Sequence, residues 1–337
     1  MPANSHPFRK GIADLGAGLY AYVQPDGSWG YSNSGLIVAG DQSVLVDTLF
    51  TLGMTRDMLK AYRDIAPAAG SIDLLVNTHA NGDHTFGNQL VDGARIIASR
   101  ACAEEMAERP PEAFRASLAD WRAQGEAGAF LHEVMGSRFD FSGVEARLPQ
   151  ETFSGVLELE VAGTRIELHE FGPAHTRGDI VVYVPSAKTV FTGDLVFNKV
   201  HPILWTGPFA NWVRACDTIL GWDVDVVVPG HGPVTTLTAV KDMRDYLVYV
   251  MTESRKRLDA GLSYAEAAWD IALGTYDSWL DRERIVANVA QAYRELTGGT
   301  VNPAREEILT LMGRHHRGLK SPSCGEDCSC HADGGRA

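Results

Sequence analysis

The stretch Asn77-Thr-His-Ala-Asn-Gly-Asp-His-Thr-Phe-Gly-Asn88 decides how the chain is read. It follows the run Leu74-Leu75-Val76, which is short, apolar and preceded by Ser71-Ile72-Asp73, and so reads as a buried strand. A strand that runs on into His79, Asn81, Asp83 and His84 puts four potential metal ligands on one tight loop. Imidazole nitrogens and a carboxylate suit zinc, iron or manganese. Gly82 gives the backbone the freedom to turn Asp83 and His84 toward the point that His79 faces.

Working outward, residues 15–48 read as a β-meander: a strand up to the Pro25-Asp26-Gly27 turn, then Gly35 to Ala39, then Ser43 to Asp47. Asp47 closes an otherwise apolar strand. It has two readings, a cap for the helix expected over 51–66 or a carboxylate standing behind a metal ligand. Residues 94–99 give another strand, and this alternation is an α/β pattern. Residues 101–148 form a helical insertion broken at Pro110-Pro111, with Met106, Phe114, Leu118, Trp121, Phe130 and Met135. Its aromatics serve either helix packing or the lining of a substrate pocket.

Strand patterns return over 153–197 and frame two polar loops, Gly172-Pro-Ala-His175-Thr-Arg-Gly-Asp179 and Phe191-Thr-Gly-Asp194-Leu-Val-Phe197. A helix over about 209–220 and a strand from Val224 follow, and the strand ends in Pro229-Gly-His231-Gly-Pro233. Beyond 235 the chain is helical over 236–260, 263–274, 278–297 and 303–313, with a capping box at Ser263-x-x-Glu266. Tyr246, Val248, Met251, Trp269, Ile271, Leu273 and Trp279 there suit either cover for the core edge or a homodimer interface. The tail from 314 to 337 is polar and glycine-rich, which reads as flexible, although Cys324, Cys328, Cys330 and His331 could bind a soft metal.

The 337 residues, 45% hydrophobic and 22% charged, suit one large globular domain with an appendage. A formal net charge of −13 disfavours nucleic acid as a partner. No apolar run approaches the roughly 18 residues of a membrane span. Residues 1–10 carry no apolar signal region, so the expectation is a cytoplasmic protein with no membrane partner. Cys102 and Cys216, isolated in apolar patterns, read as reduced core residues.

The order His79-x-Asn81-x-Asp83-His84, His175, Asp194, His231 resembles the metallo-β-lactamase fold superfamily over residues 15 to about 235. Four separated loops agree with it in order and local sequence, including Thr192-Gly-Asp194 and Pro229-Gly-His231-Gly-Pro233. The resemblance implies an αββα sandwich of two mixed β-sheets flanked by helices, over residues 1–235. A helical C-terminal extension, 236–313, and the tail would follow. It implies a first metal site at His79, Asn81 and His175, a second at Asp83, His84 and His231, and a bridging Asp194. The family pattern has histidine where this chain has Asn81. A carboxamide oxygen binds a borderline metal more weakly than imidazole does. The second site is therefore expected to be the tight one, with one or two zinc ions per chain, or iron or manganese. Asn81 then hydrogen-bonds water or substrate, or is itself a weak ligand.

The function so implied is hydrolysis of a small molecule at an activated carbon, as in an ester, thioester or lactone. A metal-bound hydroxide attacks, and Asp83 or Asp194 accepts the proton. Phe197, His201 and Trp205 are candidate pocket residues, with Trp212 divided between pocket and core. Fold does not select among chemistries. Two alternatives stay open: a metal-dependent lyase, cyclase, dehalogenase or iron oxygenase, and a metal-binding protein without catalysis.

Overall fold

Alternation along the strands sets the layers. The computed structural model describes residues 8–319, so the Cys324, Cys328, Cys330 and His331 cluster lies outside the described residues. Strands β1 (Gly11–Gly16), β2 (Leu19–Val23), β3 (Ser34–Ala39), β4 (Gln42–Val46), β5 (Leu74–Val76), β6 (Arg95–Ser99) and β7 (Glu151–Phe153) form one sheet in that order. It is antiparallel from β1 to β4 and parallel from β4 to β7. The second sheet has the order β12 (Val226–Val228), β11 (Thr189–Phe191), β10 (Ile180–Val184), β9 (Thr164–Glu170) and β8 (Val156–Val161). Only its β11–β12 pair is parallel.

The helices are α1 (Leu52–Ile65), α2 (Gly82–Thr85), α3 (Arg100–Glu108), α4 (Pro111–Ala119), α5 (Gly125–Leu131), α6 (Phe209–Leu220), α7 (Leu237–Asp259), α8 (Tyr264–Asp270), α9 (Ile285–Leu296) and α10 (Arg305–His316).

Successive side chains on a strand point to opposite faces. Ile37, Val44, Val46, Val76 and Ile97 of the first sheet meet Ile166, Leu168, Ile180, Val182 and Val228 of the second, forming the inner core. Their neighbours Leu36, Leu45, Leu75 and Ile96 turn outward and bury Met58, Leu59 and Tyr62 of α1. Val181, Tyr183, Val190 and Val227 do the same for the second sheet, in a core shared with α6, α7, α9 and α10. The result is the αββα sandwich that the resemblance implied. Gly35 lets the sheets close, since a Cβ there would sit 2.3 Å from the Phe191 ring.

The extension behind β12 is part of this packing. Tyr246, Ile271, Leu273 and Trp279 are buried within the chain, whereas Val248 is exposed. The capping box of α8 is present, with Glu266 N–H donating to Ser263 Oγ at 3.2 Å and Ser263 N–H to Glu266 Oε2 at 2.9 Å. The helix expected over 278–297 starts later, at Ile285, because Asp281 takes a left-handed conformation at φ 59° and a short 3-10 turn intervenes. Two strands were not foreseen. β1 adds an outer strand to the meander, and β7 is a three-residue edge strand too short to show a period. Pro110 and Pro111 separate α3 from α4, and Pro111 sits at the first helical position, where its missing N–H costs nothing. No helix among the described residues is long and apolar enough to cross a membrane.

Candidate metal centre

Four loops at one edge of the sandwich carry the polar residues. The loop after β5 supplies His79, Asn81, Asp83 and His84, the last two on α2. The β9–β10 loop supplies His175, the turn after β11 Asp194, and the turn after β12 His231. All six expected ligands come together. His79, His175 and Asp194 form one group whose donor atoms lie within 4.8 Å of one another, and Asp83, His84 and His231 form another. Asp194 stands among the histidines: His84 Nε2 is 3.1 Å from its Oδ1, and the Nε2 atoms of His175, His231 and His79 are 3.3, 3.6 and 3.7 Å from its Oδ2. Gly230 makes room for it, since a Cβ there would lie 2.0 Å from Asp194 Oδ1.

The outer nitrogens of the four rings fix which nitrogen faces inward. His175 Nδ1 donates to the Ile203 carbonyl at 2.8 Å, His231 Nδ1 to the Gly27 carbonyl at 2.9 Å, and His84 Nδ1 to Asp47 Oδ2 at 2.9 Å. Carbonyls and carboxylates only accept, so each Nδ1 carries the proton. Thr78 Oγ1 donates to Asp47 Oδ2 at 2.6 Å and so accepts from His79 Nδ1 at 3.0 Å. Every Nε2 is thereby aimed at the centre, the orientation a metal ligand needs.

The donor set fits a divalent cation. His79 Nε2, His84 Nε2 and Asp194 Oδ1 are buried and make no hydrogen bond of good geometry. An unpaired buried polar atom costs about 1–3 kcal/mol, so such a cluster needs an occupant. Charge agrees. Burial would push Asp194 up, but His231, His84 and His79 hold it well below the usual carboxylate range. Burial likewise opposes ionisation of Asp83, yet His231 brings it down to about 2. Burial works against a charged His84, but Asp194 and Asp47 outweigh it and favour positive charge there. A proton or a metal ion can supply that charge, and the two compete.

Asp47 is the carboxylate behind the ligands. Its oxygens also accept from Thr78 N–H at 2.7 Å, and its backbone is left-handed at φ 61°. The cap of α1 is instead Thr51, whose Oγ1 accepts from Met54 N–H at 3.1 Å. Asn81 Nδ2 lies 2.8 Å from His175 Nε2. That nitrogen has no proton to give, so the Asn81 amide donates to it. Asn81 thus occupies the lone pair that His175 would otherwise turn toward a metal.

A cavity of about 430 Å³ opens onto this centre. Asn81, Asp83, His175, Asp194 and His231 lie at its polar end, and Phe50, Phe86, Phe114, Met135 and Trp29 form apolar wall. The insertion thus lines the pocket through Phe114 and Met135, and it packs as well: Phe114 lies 5.6 Å from Phe86 and 5.2 Å from Phe141, centroid to centroid. Phe197 and Trp205 line the cavity. Trp212 does not; it is fully buried and donates to the Leu195 carbonyl at 2.9 Å.

The placing of His201 at the pocket is corrected. It is fully buried behind the wall, with Nε2 donating to the Tyr276 carbonyl and Nδ1 accepting from the Tyr246 hydroxyl, both at 3.0 Å. The turn toward α7 is tertiary, and the local sequence does not record it. The neutral ring is fully satisfied, and burial pushes its pKa down to about 3. Because the folded pKa is depressed, His201 favours the fold above the unfolded value near 6.5 and loses that contribution as pH falls toward 3. From pH 7 to pH 5 the loss is about 2 kcal/mol. His201→Gln, which lacks the titration, should show a pH dependence of unfolding shallower by that amount in urea melts at the two pH values. Equal slopes would refute this account.

Two supports had no sequence signal at all, the Gly27 and Ile203 carbonyls. Asn288 of α9 holds the second in place: its Oδ1 accepts from Leu204 N–H at 2.9 Å and its Nδ2 donates to the Pro202 carbonyl at 3.0 Å. The extension therefore sets the orientation of His175 from behind.

An αββα sandwich with these ligand groups at its loop edge defines a class of metalloprotein. The model of the metallo-beta-lactamase superfamily matches residues 27–231, and the chain belongs to that superfamily. Among curated relatives, the 2,4-dinitroanisole O-demethylase subunit alpha of Nocardioides sp. (strain JS1661) is 29% identical over 205 residues, 58% of this chain and 51% of that protein. The linear primary-alkylsulfatase of Pseudomonas sp. (strain ATCC 19151) is 23% identical over 273 residues, 71% of this chain and 49% of that one. The chain spans about half the length of these relatives. Among solved structures, the inverting sec-alkylsulfatase Pisa1 from Pseudomonas sp. aligns at TM-score 0.61 and 17% identity, over 88% of this chain and 52% of that one. A metallo-beta-lactamase from Pontibacter korlensis aligns at 0.54 and 19%, over 71% and 99%.

Proposed function

We propose that the protein is a metal-dependent hydrolase of a small organic molecule, cleaving an ester, thioester, lactone or similarly activated bond. The observation that carries this is the convergence of both sets of histidines on Asp194 at the polar end of a partly enclosed cavity with a largely apolar wall. The names of the curated relatives support widening the panel to sulfate esters and aryl methyl ethers. His79, His175 and Asp194 would hold one ion, and Asp83, His84, His231 and Asp194 another, with zinc the first choice for this mixed nitrogen and oxygen set. When bound, such an ion lowers the pKa of its water to about 7 and polarises a substrate oxygen.

The chain's own residues do the rest. The Nδ1 hydrogen bonds hold four imidazoles in one tautomer. Asp83 reaches the cavity and stays ionised at neutral pH, so it can take a proton from an attacking water. Phe50, Phe86 and Phe114 exclude bulk water from one side. Turnover of a panel of esters, thioesters, lactones, sulfate esters and aryl methyl ethers by zinc-loaded protein tests the reading. Failure on every class in protein that retains its metal would remove it.

We further propose that the site of Asp83, His84 and His231 binds the tighter ion. The other group has an amide in place of an imidazole at position 81, and binding there must displace the Asn81 hydrogen bond to His175. After exhaustive dialysis one equivalent should remain per chain. Asn81→His should strengthen the second equivalent by about tenfold or more in chelator competition. Two tightly held equivalents in the wild type would contradict this assignment.

A further inference from the structure

The cavity wall carries an unbalanced cation. Arg305 opens α10 and lies with its guanidinium carbon 4.1 Å from the centre of the Trp205 ring. Both residues line the cavity, as do Arg109 and Arg284. The other charges of the wall are matched. Arg284 pairs with Asp281 at 2.8 Å, Arg109 with Glu105 at 3.1 Å, and Glu108 with Arg177 at 2.8 Å. Among the described residues Arg305 has neither an ion pair nor a hydrogen bond. It is open to the cavity and held only by the indole face. Arg109 stands near enough that its positive charge works against that of Arg305. The chain as a whole is acidic, at −13, so this cationic corner is not a general excess.

Stacking on an indole fixes the guanidinium plane and leaves its edge free. That edge carries parallel N–H donors in the spacing a carboxylate accepts. The apolar wall of Phe50, Phe86, Phe114 and Met135 lies in the same cavity, and the metal ligands form its polar end. We infer that the ligand of this cavity is an amphiphilic carboxylate. Its apolar or aromatic body rests on the phenylalanine wall, and its carboxylate is received by Arg305, with Arg109 alongside. Arg305 lies outside the superfamily segment of residues 27–231, so the helical extension sets the choice of ligand. The inference rests on the hydrolase reading only for what happens to the ligand after binding.

The test is calorimetric titration of zinc-loaded protein with 4-phenylbutyrate and with its uncharged amide, 4-phenylbutanamide. The acid should bind at least about tenfold more tightly than the amide. Arg305→Gln should abolish that preference and leave amide affinity and zinc content unchanged. Arg305→Lys keeps the charge without the flat donor pair and should lose part of the preference. Arg305→Gln binding the acid as tightly as the wild type would put the carboxylate on the metal and overturn the inference. So would a wild type that binds acid and amide alike, or neither. Turnover is not part of the readout. A failed hydrolysis screen with intact preference leaves the inference standing, and a lost preference leaves the hydrolase reading standing.

Discussion

Asp194→Asn is expected to strip the protein of tightly bound metal and to lower turnover by at least about 10³-fold while the fold persists. The substitution preserves shape, so the close fit against Gly230 remains. It removes the negative charge toward which four histidine nitrogens converge, between 3.1 and 3.7 Å away. It also presents an N–H₂ group to nitrogens that are already oriented as lone-pair donors. In the proposed arrangement both ions draw on this one carboxylate, so its loss should be felt at both. Metal analysis after dialysis and turnover of the best substrate from the panel check this, with circular dichroism to establish folding. A variant that keeps its metal and more than a tenth of wild-type turnover would show that Asp194 is not the shared ligand.

Asp47→Asn should have the next largest effect, on the order of 10–100-fold in metal affinity, although this side chain touches no proposed ion. One oxygen of Asp47 accepts from Thr78 N–H; the other accepts from Thr78 Oγ1 and His84 Nδ1. With an amide at this position, the N–H₂ end faces two donors. His84 can escape by moving its proton to Nε2, which turns its inward lone pair into an N–H. Asparagine tolerates the left-handed backbone at φ 61°, so the defect should lie in the site and not in the turn. Chelator competition for zinc, together with the Nδ1 and Nε2 signals of His84 in nitrogen NMR, reads both halves of this account. Unchanged affinity with an unchanged tautomer would count against it.

The histidines and aspartates were legible because each sits in a loop whose Gly or Pro residues announce a turn after a strand, and loop composition is a local property. Their supports were legible only in part. Asp47 could be named but not assigned, since helix cap and ligand brace look alike in sequence, and Thr51 takes the cap. The Ile203 and Gly27 carbonyls were invisible, because any residue type supplies a carbonyl. His201 was misplaced because adjacency to a site loop in sequence does not say which way the side chain turns.

By itself, then, the sequence determined an α/β pattern, through strand alternation and the order of strand and helix; the two-sheet sandwich followed only from the resemblance of its motifs to a known superfamily. The sequence also determined the donor atoms, through residue types that can ligate a metal. The tertiary structure decided how they act. Burial and the outer hydrogen bonds fixed each imidazole tautomer, and the approach of Asn81 to His175 made an amide a competitor for a lone pair. Packing of the C-terminal helices against the second sheet brought Asn288 behind the ligands and Arg305 into the cavity wall. Apart from the Thr78–His79 contact, these hydrogen bonds join residues from 28 to 204 positions apart, and they follow from close packing, which no local pattern encodes.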